Sequence, residues 1–161
     1  MISFLKNIFK TTEKPELAPL LITKAEKNFV SCYEFLTQNI SDPFRCEESE
    51  IKSGLITVVL SDYVLNWLSQ AEKAGMSETD SIQQLDTIKE SFEKVDKGCN
   101  WKFSQSLIGE YFERYQKSQS LYETNQVKEF GGAWLLRLCY GPKYQINLTV
   151  AKQLGEIITQ S

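Results

Sequence analysis

Residues 55–74, LITVVLSDYVLNWLSQAEKA, decide the fold. Leu55, Val59, Tyr63 and Trp67 recur every four residues, and Ile56, Leu60, Val64 and Leu68 form a second row beside them. Val58 and Leu65 widen this face, leaving Thr57, Ser61, Asn66, Ser69 and Lys73 as a narrow polar strip. A helix that is apolar over most of its circumference has to be covered on most sides. The stretch is therefore predicted to be the central helix of a helical domain. Trp67, on its broad face, is expected to be among the costliest side chains to remove. Lys73-Ala74-Gly75 ends the helix, with Gly75 as a left-handed cap.

Upstream, Ile22, Ala25, Phe29, Cys32/Tyr33, Leu36 and Ile40 keep a spacing of three to four and predict a helix from about Pro19 to Ile40. Ser41-Asp42-Pro43 is read as a helix restart, a capping side chain followed by proline at the first helical position. Gly54 is expected to mark a bend between that segment and the central helix. Residues 1–10 form a short amphipathic helix with Ile2, Leu5, Ile8 and Phe9 on one face, and residues 11–19, with two prolines, read as a linker. Two lysines are too few to hold the first helix on a lipid surface, so it is expected to dock on the domain.

Downstream, Asp80 is expected to cap a helix over about 81–96 whose apolar face is Ile82, Leu85, Ile88, Phe92 and Val95. Residues 101–117 form a further helix with Trp101, Leu107, Ile108, Tyr111, Phe112 and Tyr115 inside. The last third supports two readings. Val127, Phe130, Trp134, Leu135 and Leu138 suit a helix interrupted by Gly131-Gly132, followed by a second helix through Ile146, Val150, Leu154 and Ile157/Ile158 capped by Asn147. The same residues also suit a hairpin: a strand from Ala133 to Tyr140, a turn at Gly141-Pro142, and a second strand in which Tyr144, Ile146, Leu148 and Val150 alternate with polar residues. The helical neighbours favour the first. The expected fold is mainly α: one domain over residues 1–161, a bundle of about six to seven helices around the central helix 55–74. The alternative is α+β, with a C-terminal β-hairpin at 133–150.

The 161 residues suffice for one domain with a real core, and 42% apolar with 24% charged residues is ordinary globular composition. The net charge of −3 is unevenly spread, since residues 1–100 carry 11 Lys/Arg against 16 Asp/Glu while residues 101–161 carry 7 against 5. The acidic part argues against nucleic-acid binding, which needs a concentrated basic face. No stretch is long and apolar enough to span a membrane, and the start lacks the core and cleavage site of a signal peptide. Cys32, Cys46, Cys99 and Cys139 are far apart and form no C-x-x-C pair, so no zinc site is expected. They read as reduced thiols of a cytoplasmic protein that react with alkylating reagents only after unfolding.

The chain has no histidine, which removes Ser-His-Asp and Cys-His catalysis and the commonest metal ligand. Carboxylate chemistry is left. Glu90-x-x-Glu93-x-x-Asp96 with Glu110-x-x-Glu113 loosely resembles the spacing in all-α nucleotide pyrophosphohydrolases of the MazG type, and that resemblance implies a divalent-metal nucleotide hydrolase. On a helical wheel, however, Glu90 lies opposite the apolar face, Glu93 on its flank, and Glu110 and Glu113 point away from the Leu107/Ile108/Tyr111 face, whereas metal-holding acids in a bundle project inward. No catalytic residue, metal or cofactor is therefore expected. Trp101, Tyr140 and Tyr144 are the aromatic residues placed to be exposed and to anchor an interface.

The remaining signal is charge. Residues 42–50 hold four acids and one arginine, and residues 78–96 hold six acids and two lysines. Glu47, Glu48, Glu50, Asp86, Glu90 and Glu93 are expected to face solvent and contact a basic protein partner, since complementary charge steers association and selects partners. The expected function is that of a non-catalytic cytoplasmic inhibitor, an immunity protein neutralising a bacterial toxin domain such as a nuclease. A carboxylate-metal nucleotide hydrolase and an adaptor or secretion chaperone are the alternatives. Failing the acidic face, the interface is expected on the basic C-terminal third, around Arg137, Lys143 and Tyr144.

Overall fold

The fold is a computed structural model described for residues 17–77, 79–80, 83, 90 and 127–160. It is mainly α. The described helices are α1 (Leu17–Asn39), α2 (Glu48–Lys73), α3 (Val127–Tyr140) and α4 (Leu148–Thr159), and no strand occurs among the described residues. The expected helices at 1–10 and 101–117 lie outside the described residues. The side chain of Trp67 is likewise not among those described.

α2 is the central element. It packs against α1, α3 and α4, and residues 54–61 are buried without a break. Such a run is what a helix covered on several sides requires. Of its two buried polar side chains, Thr57 donates its hydroxyl to Ser53 O at 2.9 Å, within the helix itself, whereas the Ser61 hydroxyl has no hydrogen-bond partner among the described residues. The helix begins later than proline placement suggested. Residues 40–47 are irregular, and Pro43 starts no helix. The start is set by charge and geometry at the next turn: the Glu50 carboxylate accepts the Glu47 N–H at 2.7 Å, the reciprocal half of a capping box. Gly54 causes no bend, because α2 is continuous through it. A Cβ there would lie 2.5 Å from Leu138 Cδ2 and 3.0 Å from Leu135 Cδ1, so the glycine admits α3. Gly75 ends the helix as expected, in the left-handed region at φ 72°.

α1 shows its core a face rotated by about one residue from the one read in the sequence. Leu21, Ala25, Asn28, Cys32 and Leu36 are buried, with Ile22 and Phe29 on the flank and Tyr33 partly exposed. Asn28 is the reason. Its amide donates to Ile158 O at 3.0 Å and Gln160 O at 3.1 Å, satisfying two carbonyls at the end of α4 that the helix itself leaves without donors. Beyond α2, Thr79 and Asp80 are already helical, and Ser77 Oγ accepts the Asp80 N–H at 3.2 Å. Ser77, not Asp80, is therefore the cap.

The hairpin alternative at 133–150 is overturned: both expected strands are replaced by α3, a turn and the first residues of α4. The turn at Gly141-Pro142 is present but joins two helices, with Gly141 at φ 99° and Tyr144 N–H donating to Gly141 O at 3.1 Å. Asn147 caps α4 through Oδ1, which accepts from Thr149 N at 2.9 Å and Val150 N at 3.3 Å. The period-two pattern at 144–150 arises because Tyr144 and Ile146 dip from the turn toward the core, while Leu148 on α4 stands exposed. Gly131-Gly132 does not interrupt α3. Gly132 faces the Ala151 carbonyl, and Gly155 faces the Lys128 carbonyl. The two pairings run in opposite chain directions, so α3 and α4 are antiparallel and in backbone contact at both glycines. Replacing Asn147 by alanine is expected to lower stability by about 1 kcal/mol, read as a lower urea midpoint at unchanged m-value, whereas aspartate retains most of it.

Candidate interaction surface

The acidic residues lie on two segments. Glu47, Glu48 and Glu50 occupy the cap and first turn of α2 and are all exposed. Glu48 pairs with Lys52 at 2.8 Å, and Lys52 Nζ also sits 4.9 Å from the centre of the Phe29 ring on α1. Glu50 divides its role between capping and surface charge. These carboxylates favour the positive end of the α2 dipole, which explains their position without a partner. Their exposure leaves them available to one. Glu90 is helical and exposed, as expected. Asp86 and Glu93, with Asp96, Glu110, Glu113 and Cys99, lie outside the described residues.

A second feature lies at the α3–α4 turn. Phe130, Trp134 and Arg137 of α3, with Lys143, Tyr144 and Ile146 of the turn, line a groove of about 620 Å³. A neighbouring hollow of about 520 Å³ is lined by Asp42, Pro43, Arg45, Tyr140, Lys143 and Tyr144. Lys143, Tyr144 and Gln145 border both. The aromatic bodies are held by a chain of ring contacts: Phe29–Tyr33 at 5.8 Å, Tyr33–Phe44 at 5.3 Å, Phe44–Tyr140 at 5.3 Å and Tyr140–Tyr144 at 5.0 Å. This ladder, with Arg45 N–H donating to Cys139 O at 2.7 Å, fastens segment 40–47 to the end of α3. Arg45, Arg137 and Lys143 are exposed at the rim, while Tyr140 is buried rather than exposed and acts as a rung of the ladder. Burial is the largest influence on the Tyr140 phenol and pushes its pKa up, so it stays protonated.

Arg137, Lys143 and Tyr144 were legible as a basic surface. Arg45 was not, since it comes from a distant segment joined only by the fold, and Phe130 and Trp134, on the same helix as Arg137, read as core residues. The Gly141-Pro142 turn, read between two helices instead of two strands, is the signal that brings them to one end. Elsewhere, the Asp62 carboxyl on α2 is pushed above the ordinary range by burial, partly offset by Lys24 and Lys128. Among the described residues no helix is long and apolar enough to cross a membrane. No protein-family model matches the chain, and no curated protein or solved structure matches it.

Proposed function

We propose that the protein is a non-catalytic binding protein that docks a basic protein partner on the acidic rim at the start of α2. In its specific form it is an immunity protein that neutralises a bacterial toxin domain, such as a nuclease, inside the cytoplasm. The reading treats the whole chain as one bundle of six to seven helices, with Asp86, Glu90 and Glu93 extending the acidic surface. The observation that carries it is the exposure of Glu47, Glu48 and Glu50 together on one helical turn. Arg45, two residues before the rim, borders the aromatic hollow, which supplies the apolar contact area that charge alone lacks. A chain without histidine also lacks the commonest general base.

The test begins with capture of the partner by pull-down, followed by association kinetics at low and high salt. Reversing Glu47 and Glu90 to lysine is expected to leave the fold intact at a cost of about 1 kcal/mol, because both side chains are exposed and Glu47 gives up a favourable place at the positive end of the α2 dipole. The same change is expected to slow association on the order of tenfold at low salt, with the wild-type rate falling steeply as salt rises. Salt-independent association with full affinity in the double variant would remove the acidic-rim reading and move the interface to Arg45, Arg137 and Lys143.

A further inference from the structure

Cys46 and Cys139 are 93 residues apart in the chain yet lie against each other. Cys46 sits half-buried in segment 40–47, and Cys139 is buried at the penultimate position of α3. One carbonyl joins them: Cys139 O accepts from Arg45 N at 2.7 Å and has Cys46 Sγ at 4.0 Å. Both residues are free thiols.

The environment gives the two thiols different roles. The hydrogen bond from Cys139 lowers the Cys46 thiol from its ordinary range, outweighing burial and the repulsion of Glu50 and Glu47. The same bond, followed by burial, pushes the Cys139 thiol up. Cys32, buried on α1, is pushed up to about 12 by burial and stays protonated. Among the described cysteines Cys46 is thus the one that combines partial exposure with a lowered thiol, and Cys139 is its immediate neighbour. Among the described cysteines Cys32 and Cys139 are buried, whereas Cys46 is only partly so.

We propose that Cys46 and Cys139 form an oxidation site at which a peroxide-class oxidant closes a reversible disulfide between segment 40–47 and the end of α3. The Cys46 thiolate attacks one peroxide oxygen. The O–O bond breaks, the departing hydroxide leaves as water after taking a proton, and Cys46 carries a sulfenic acid. The Cys139 sulfur then attacks the Cys46 sulfur. The S–O bond breaks, the Cys139 proton leaves with the hydroxide as a second water, and the S–S bond forms. Two thiols lose two electrons in all, and one peroxide gains them. Cys46 follows Arg45, and Cys139 precedes Tyr140, so the new bond fixes a wall of the cationic hollow in place. The proposal stands apart from the acidic-rim reading, because its test needs no partner.

The experiment treats the reduced full-length protein with one equivalent of hydrogen peroxide, blocks remaining thiols with iodoacetamide, and maps the peptides by mass spectrometry. The expected result is a Cys46–Cys139 cross-linked peptide that a thiol reductant removes, and its absence in Cys46→Ser. In the untreated native protein Cys46 is expected to be alkylated on the order of tenfold faster than Cys32. Recovery of Cys46 as alkylated thiol or as sulfinic acid, or linkage of either cysteine to Cys32, to Cys99 or to a second chain, would overturn the proposal. The wild-type map decides the question even if Cys46→Ser fails to fold.

Discussion

Alanine at position 132 is expected to destabilise the protein by about 2–3 kcal/mol net, a large share of the stability of a domain this size. Two effects compete. In an isolated helix the exchange of glycine for alanine gains about 1 kcal/mol. In the folded protein the new Cβ runs into the Ala151 carbonyl oxygen, with the carbonyl carbon at 2.7 Å and Gly155 N at 3.0 Å. These are backbone atoms of α4, which can yield only if the whole helix moves, so the packing loss exceeds the propensity gain. Gly155→Ala should behave alike, since its Cβ meets the Lys128 carbonyl, with Lys128 Cα at 2.9 Å. Gly54→Ala is the informative contrast. Its Cβ meets the ends of Leu138 and Leu135, which can turn aside, so the loss should stay near 1 kcal/mol or below. Urea midpoints of the three variants test the ranking. An unchanged midpoint for both Gly132→Ala and Gly155→Ala would show that α3 and α4 lie farther apart than described.

Asn28→Asp is expected to cost about 3–4 kcal/mol at neutral pH, because it leaves a buried charge without a donor. The replaced amide donates to Ile158 O and Gln160 O. A carboxylate would face both carbonyls at the negative end of the α4 dipole and donate to neither. Protonation removes the charge and restores one donor, so the folded protein holds that proton more tightly than the unfolded chain. The folded-state pKa of this aspartate is therefore raised. Stability is then best retained below the ordinary carboxylate range and falls as pH rises through the folded value. Asn28→Ala lacks the charge and should cost about 2 kcal/mol with little added pH dependence. Denaturation of both variants at acidic and neutral pH separates the two mechanisms. Equal, pH-independent losses would mean that the site is hydrated.

What could be read in advance was what repeats. The apolar residues of 55–60, the left-handed Gly75 and the Asn147 cap are local signals, and each sits where local chemistry places it. Pro43 and Gly54 misled for the same reason: each has a common local meaning that tertiary contact overrode. Pro43 serves an irregular segment pinned by Arg45 to Cys139, and Gly54 clears a path for Leu135 and Leu138. The Gly131-Gly132 pair was ambiguous because a glycine that breaks a helix and one that admits another helix look identical without the partner. The same holds for the surface. Three acids close in sequence are visible as a rim, but a hollow assembled from Asp42, Arg45, Tyr140 and Lys143 has no local signature. Asn28 is the sharpest case, a polar residue whose place in the core is licensed only by carbonyls more than a hundred residues away.

That long reach has a consequence for synthesis on the ribosome. The clamp on α1 closes on residues 158 and 160, so the contact between α1 and the end of α4 forms only when nearly the last described residue has left the exit tunnel. During translation α1 and α2 emerge first, with Leu36, Leu55, Ile56 and Val58 still awaiting α3 and α4. Those contacts wait for as long as the intervening residues take to be made, seconds at ordinary elongation rates.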